Sequence, residues 1–184
     1  MGLTNRSVGI NAVDSGLEIQ KHTPLDRVIA LAGNPNVGKS TVFNGLTGMN
    51  QHTGNWPGKT VTNAQGYCGT KKHSYVMVDI PGTYSLMAHS AEEEVARNFI
   101  CFGNPDAVVV VCDATCLERN LNLVLQTMEI SSKVVVCVNL MDEAKKKNIR
   151  LDLKMLEKRL GVPVVSTVAR KKSSLQKLMN TLDG

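Results

Sequence analysis

The chain has 184 residues, 42% hydrophobic and 4% aromatic, with a formal charge of +5. Its size and apolar content fit one domain with a real core, while so few aromatics argue against a base-stacking RNA platform. The basic excess clusters at Lys145-Lys146-Lys147 and Arg170-Lys171-Lys172 and reads first as solvated loop charge and second as phosphate steering, so no nucleic-acid partner is expected. Cys68, Cys101, Cys112, Cys116 and Cys137 form no C-x-x-C pair, and His22, His52, His73 and His89 are scattered. No metal-site spacing is therefore legible, and a reducing setting is the simplest account. No run approaches the roughly 18 apolar residues of a membrane helix, and residues 1–26 lack a signal-peptide core, so the chain is expected to be soluble.

In chain order, residues 1–26 carry Gly2, Gly9, Gly16 and Pro24 without a steady hydrophobic period and read as a flexible leader with at most one strand. Val28–Ala32 is a buried strand, and a helix opens at Thr41. Residues 47–63, rich in Gly, Asn and Thr, form a long polar loop around Gly54-Asn55-Trp56-Pro57-Gly58-Lys59-Thr60; such loops are usually functional or disordered. Residues 64–70 and 73–79 pair as a hairpin, and residues 83–90 form a second mobile loop. Helices over 92–102, 117–130 and 152–160 and from Ser173 alternate with strands over 107–112, 134–138 and 162–165. This alternation predicts an α/β domain over 27–184, with a mostly parallel, doubly wound sheet of about six strands flanked by helices.

Gly33-Asn34-Pro35-Asn36-Val37-Gly38-Lys39-Ser40, between the first strand and the helix at Thr41, fits the P-loop pattern G-x-x-x-x-G-K-[ST]. Its glycines let successive N–H groups turn toward phosphate oxygens at the positive end of the helix. Lys39 adds a charge for the β- and γ-phosphates, and Ser40 is placed to ligate Mg²⁺. Asp79-Ile80-Pro81-Gly82 ends the hairpin's second strand: Asp79 can hold Mg²⁺ through water, and the Gly82 N–H can approach a γ-phosphate, whose loss would release the following loop. Thr60 or Thr62 can close on the same ion. Asn139-Leu140-Met141-Asp142 follows a buried strand, where open α/β sheets collect ligands. A carboxylate at Asp142 can accept from the N1–H and 2-amino group of guanine, which adenine lacks, so the nucleotide pair is GTP and GDP.

Taken together, GNPNVGKS, GNWPGKT, DIPGTYSL, ATCLERNLNL, NLMD and GVPVV resemble the intracellular G domain of bacterial ferrous-iron transport protein B, from about Arg27 onward. The resemblance implies a P-loop GTPase fold with the switch threonine at Thr60, preceded by Gly58. It implies a base-contact loop at Thr167-Val168-Ala169, with the Ala169 N–H on the guanine carbonyl, although Val168-Ala169-Arg170 departs from the usual Ser-Ala. It also implies K⁺ beside the phosphates at Asn36, which could equally be a turn residue. Thr41 and Met141 complete the expected nucleotide contacts. The implied activity regulates ferrous-iron uptake from the cytoplasmic face of a cell membrane, with a helical domain and a membrane channel beyond Gly184. Thr83 stands where Ras-like proteins place a water-orienting glutamine, so slow turnover is expected, about 10⁻⁴ to 10⁻³ s⁻¹. Two other classes fit the same motifs: a soluble Era-like GTPase of ribosome or RNA maturation, and a nucleotide-binding scaffold without useful turnover. The sequence specifies no oligomeric state.

Overall fold

Strand formation here follows from runs of branched apolar residues. Ala107–Asp113 reads AVVVVCD and Val134–Asn139 reads VVVCVN, and their central residues are buried without alternation. A strand buried on both faces must lie inside a sheet covered by helices on each side. The computed structural model, which describes residues 16–48 and 51–184, has that arrangement. Its elements are β1 (Arg27–Gly33), α1 (Lys39–Thr47), β2 (Gln51–Asn55), β3 (Thr62–Gly69), β4 (Ser74–Asp79), α2 (Ala91–Phe102), β5 (Ala107–Asp113), α3 (Leu117–Ile130), β6 (Val134–Asn139), α4 (Met141–Lys146), α5 (Leu153–Leu160), β7 (Val164–Ser166) and α6 (Lys172–Leu182). The strand order is β2-β3-β4-β1-β5-β6-β7. Strands β4, β1, β5, β6 and β7 run parallel, and β2 and β3 add an antiparallel edge.

Side chains alternate across β1. Ile29 and Leu31 face the layer built from α1 and α6, with Phe43, Leu175 and Leu178. Val28, Ala30 and Ala32 face the layer of α2 and α3, with Phe99, Leu123 and Val124. This period of two is what places helices on both faces. Ser90 caps α2 by accepting from the Glu93 N–H at 3.1 Å, and Glu92, Glu93 and Glu94 load its first turn, where the helix dipole favours negative charge.

The structure differs from the sequence expectation in five places. Gln51–Asn55, read as loop, is an edge strand held by its ladder to β3. The helix after the P-loop begins two residues early, at Lys39, and Met141–Lys146 is an extra helix. Strand β7 begins after Pro163, which has no N–H for the ladder; its carbonyl instead accepts from Val136 N at 2.9 Å. Of the expected leader, residues 16–26 lie against β3: Gln65 Nε2 donates to Glu18 O at 2.9 Å, and Tyr67 Oη donates to Gln20 O at 2.7 Å. Residues 1–15 lie outside the described residues.

Candidate functional site

The parallel strands end together, at Gly33 in β1, Asp79 in β4, Asp113 in β5 and Asn139 in β6, so the loops that follow them share one edge of the sheet. Residues 33–40 leave that edge and turn into α1. Val37 is buried and pins the loop to the core. Gly38 has φ +82, and a Cβ there would lie 2.4 Å from Asn139 Nδ2, so glycine is required on two counts. Asn36 also sits in the left-handed region, at φ 66, with its side chain exposed; asparagine tolerates this conformation better than most residues. Asn34 is buried, and its Oδ1 has no partner among the described residues. No side chain caps the start of α1, so its first amides and positive dipole end face the cleft.

Lys39 Nζ donates to Asp79 Oδ1 across the cleft floor. Burial pushes the Asp79 carboxyl above the usual carboxylate range, outweighing the pull of the Lys39 charge. Beyond Asp79 the chain returns to the P-loop: Ile80 N donates to Leu31 O and Thr83 N to Gly33 O, each at 3.2 Å. Gly82 lies against Pro35, 3.5 Å from an ideal Cβ position to the Pro35 backbone. The cleft is about 800 Å³ in volume, and Lys39, Thr53, Thr60, Thr62, Asp79 and Gly82 are among the residues that line it. Ser40 and Thr41 sit, exposed, in the first turn of α1.

The Gly54–Thr60 stretch, expected as a mobile loop, is the tip of the β2–β3 hairpin. Trp56 N donates to Val61 O at 2.8 Å and Lys59 N to Trp56 O at 3.0 Å, with Gly58 at φ +69. Trp56 is buried edge-on to Phe99, 5.4 Å between ring centroids, and Lys59 Nζ reaches Glu94 Oε2 at 2.8 Å. A large aromatic anchored in the α2 layer holds this tip. Thr60 is left exposed in the turn, while Thr62 belongs to β3 opposite Asn55.

At the other end, Asn139 ties three segments together. Its Nδ2 donates to Val37 O at 3.1 Å, and its Oδ1 accepts from Thr167 Oγ1 and Ala169 N, both at 3.1 Å. The Ala169 N–H, aimed by the resemblance at a guanine carbonyl, is thus directed at Asn139. Thr167 is buried, and its hydroxyl supports Asn139 rather than lining the pocket. Met141 is partly buried against the core, and Leu140 lies beside the P-loop, 3.8 Å from an ideal Cβ position at Gly38. Leu140 is a bulky residue in the left-handed region, at φ 60. A pocket of about 280 Å³ is lined by Gly38, Thr41, Asn139, Asp142, Val168 and Ala169, with Leu140 and Arg170 at its rim. Asp142 Oδ1 is buried without a partner among the described residues, and Oδ2 lies 3.4 Å from Arg170 Nη2. Of these lining residues, motif reading did not single out Leu140; its position between Asn139 and Asp142 was the available signal.

Among the described residues no group of three or more His, Cys, Asp or Glu side chains could hold a metal ion, and no helix is long and apolar enough to cross a membrane. The family profile described as "Ferrous iron transport protein B" matches residues 27–182. The Fe(2+) transporter FeoB of Escherichia coli (strain K12) is 42% identical over 159 residues, covering 84% of this chain and 21% of the relative. The FeoB of Salmonella typhimurium matches to the same extent. The chain therefore spans about a fifth of the length of these relatives. Among solved structures, the G domain of T. maritima FeoB superposes with a TM-score of 0.80 at 40% identity, over 85% of this chain and 96% of that one. The FeoB G domain from Methanococcus jannaschii gives 0.75 at 44%, over 85% and 95%. The cytosolic domain of T. maritima FeoB in GMPPNP form gives 0.82 at 40%, over 85% and 62%.

Proposed function

Because the chain belongs to the ferrous iron transport protein B family, we propose that it is a GTP-binding switch domain that hydrolyses GTP slowly and regulates ferrous-iron uptake through a membrane transporter. One observation carries the choice of nucleotide: Asp142 lines a pocket that joins the P-loop at Gly38, and one oxygen of its carboxylate is buried without a partner among the described residues. Guanine offers two donors to that carboxylate. Adenine would leave it unpaired, which a site of this kind can penalise by about 10⁴-fold. Relatives solved in GDP and GMPPNP forms support the same reading.

Binding a triphosphate asks Lys39 to leave Asp79 for the β- and γ-oxygens. The carboxylate it vacates already holds one cation, which fits Mg²⁺ taken there through water, with Ser40 and Thr60 as direct ligands. That ion supplies charge neutralisation at the transferring phosphoryl group. Gly82 N–H then approaches the γ-phosphate, and Thr83, too short to act like a glutamine, leaves the rate low, about 10⁻⁴ to 10⁻³ s⁻¹. Asn36 is the residue for K⁺ beside the phosphates, where the ion would act as an arginine finger does. A GTP-dependent rearrangement of residues 47–63 and 83–90 passes the state of the site to the helical domain and channel of the transporter, from the cytoplasmic face.

Calorimetry with GTP, GDP and ATP in magnesium buffer tests the reading. Tight guanine nucleotides with ATP weaker by three or more decades are expected; equal uptake of ATP and GTP overturns it. Turnover assayed in KCl and then NaCl tests Asn36, since equal rates remove the K⁺ role.

A further inference from the structure

Residues 83–90, expected to be mobile, are gripped by α3. Gln126 Oε1 accepts the Leu86 N–H at 2.7 Å. One turn earlier Asn122 Nδ2 donates to Tyr84 O at 3.5 Å, and another turn back the Arg119 guanidinium lies 4.6 Å from the Tyr84 ring centroid. The spacing 119, 122, 126 places all three on one stripe of the helix. Leu86 itself is buried, and Thr83 N is fixed to Gly33 O. The loop is therefore pinned at Thr83 and Leu86, three residues apart, a span of at most about 10 Å of extended chain, while Ser85 Oγ and His89 N donate to the Glu93 carboxylate of α2 at 3.1 and 3.0 Å. Between those pins there is little slack, and immediately before them lies Gly82. The stretch LERNLNL, which helped carry the family resemblance, has no other assigned task in the nucleotide site.

We propose that Gln126, backed by Asn122 and Arg119, is a positioning residue for GTP hydrolysis: from α3 it holds Leu86, and through it Gly82 and Thr83, at the γ-phosphate. Gln126 leads the three because its bond is short and partly buried, whereas Tyr84 is 46% exposed and its contacts are longer. The proposal rests on the GTPase reading above. Truncating Gln126 leaves the Leu86 amide without its acceptor and lets the loop sample other positions, a change felt where the γ-phosphate is handled and not where the base or the β-phosphate is held.

Single-turnover and steady-state GTP hydrolysis, with GDP affinity and thermal melting alongside, tests this on Gln126→Ala, Gln126→Met and Gln126→Glu. The Ala and Met variants should lose about ten-fold in kcat, the cost of one such hydrogen bond, with KM and GDP affinity within two-fold of wild type. Gln126→Glu keeps an acceptor at the same reach and should restore the rate. Gln126→Met, equal in length, stands in if the Ala variant does not fold. Wild-type kcat in both truncations, a parallel loss of GDP affinity, or a Glu variant as slow as Met overturns the proposal while leaving the GTPase reading intact. A wild-type protein that binds GTP without turning it over removes the GTPase reading, and this proposal with it.

Discussion

The two ends of the nucleotide cleft are built on opposite plans. At the base end, Asn139 is buried and makes three hydrogen bonds within the fold, so Val37, Thr167 and Ala169 are set before any ligand arrives. At the phosphate end the charged groups satisfy one another: Lys39 sits on Asp79, and Lys59 on Glu94. A prebuilt end pays its ordering entropy during folding, whereas an end of exchangeable pairs can change partners when a phosphate comes or goes. On the GTPase reading proposed above, the difference separates specificity from switching: the fixed end would read the base, and the end whose bonds can be traded would sense the γ-phosphate.

Asn139→Ala should break this contrast most severely. It strands the Val37 carbonyl and the Ala169 amide, at about 1–3 kcal/mol for each group left buried and unmet, while the Thr167 hydroxyl keeps Cys137 Sγ at 3.2 Å. Urea unfolding should lose about 2 kcal/mol or more, and GDP titration should show both ends weakened together. Asp142→Asn leaves the scaffold intact and should touch the base end alone. Guanine affinity should fall by about ten- to a hundred-fold, the worth of hydrogen bonds to a charged group, while xanthosine nucleotides gain; competition binding would read both.

The phosphate end is sharpened by pH. Burial raises the Asp79 pKa despite Lys39. For an acid so shifted, the protonated form favours the fold: the contribution is whole below the unfolded value of about 3.9 and is lost as pH rises through the folded one. Lys39→Ala removes the opposing charge and widens that window, so without nucleotide it should lose more stability than wild type as pH rises above the unfolded value, measured by chemical denaturation. Smallest of all is Lys59→Ala. Its pair with Glu94 is exposed, and such pairs contribute little, so the melting temperature should not change measurably.

The sheet interior was legible because Val108 to Cys112 and Val134 to Val138 are apolar without interruption, and the P-loop because glycine and lysine sit at fixed offsets after a strand. Strand β2 was not legible: Gln51-His52-Thr53-Gly54-Asn55 has no apolar alternation, and it is a strand only because β3 offers a ladder. The structural work of Asn139 was hidden for a similar reason, since Val37 lies 102 residues before it and Ala169 lies 30 after. Motif reading could place Asn139 near a ligand but could not show that it joins the two sides. The packing of Met141 was hidden too: the turn into α4 is made in the left-handed region at Leu140, and the next side chain packs against the core.

The chain has a single tryptophan, Trp56, at the tip of the β2–β3 hairpin. Its ring is packed beside Phe99, and its Nε1 has no partner among the described residues. The protein thus carries its own optical reporter. While the tip is docked the indole should emit to the blue, and any undocking would wet the ring and shift emission to the red, timing the hairpin's movement in stopped flow without a label.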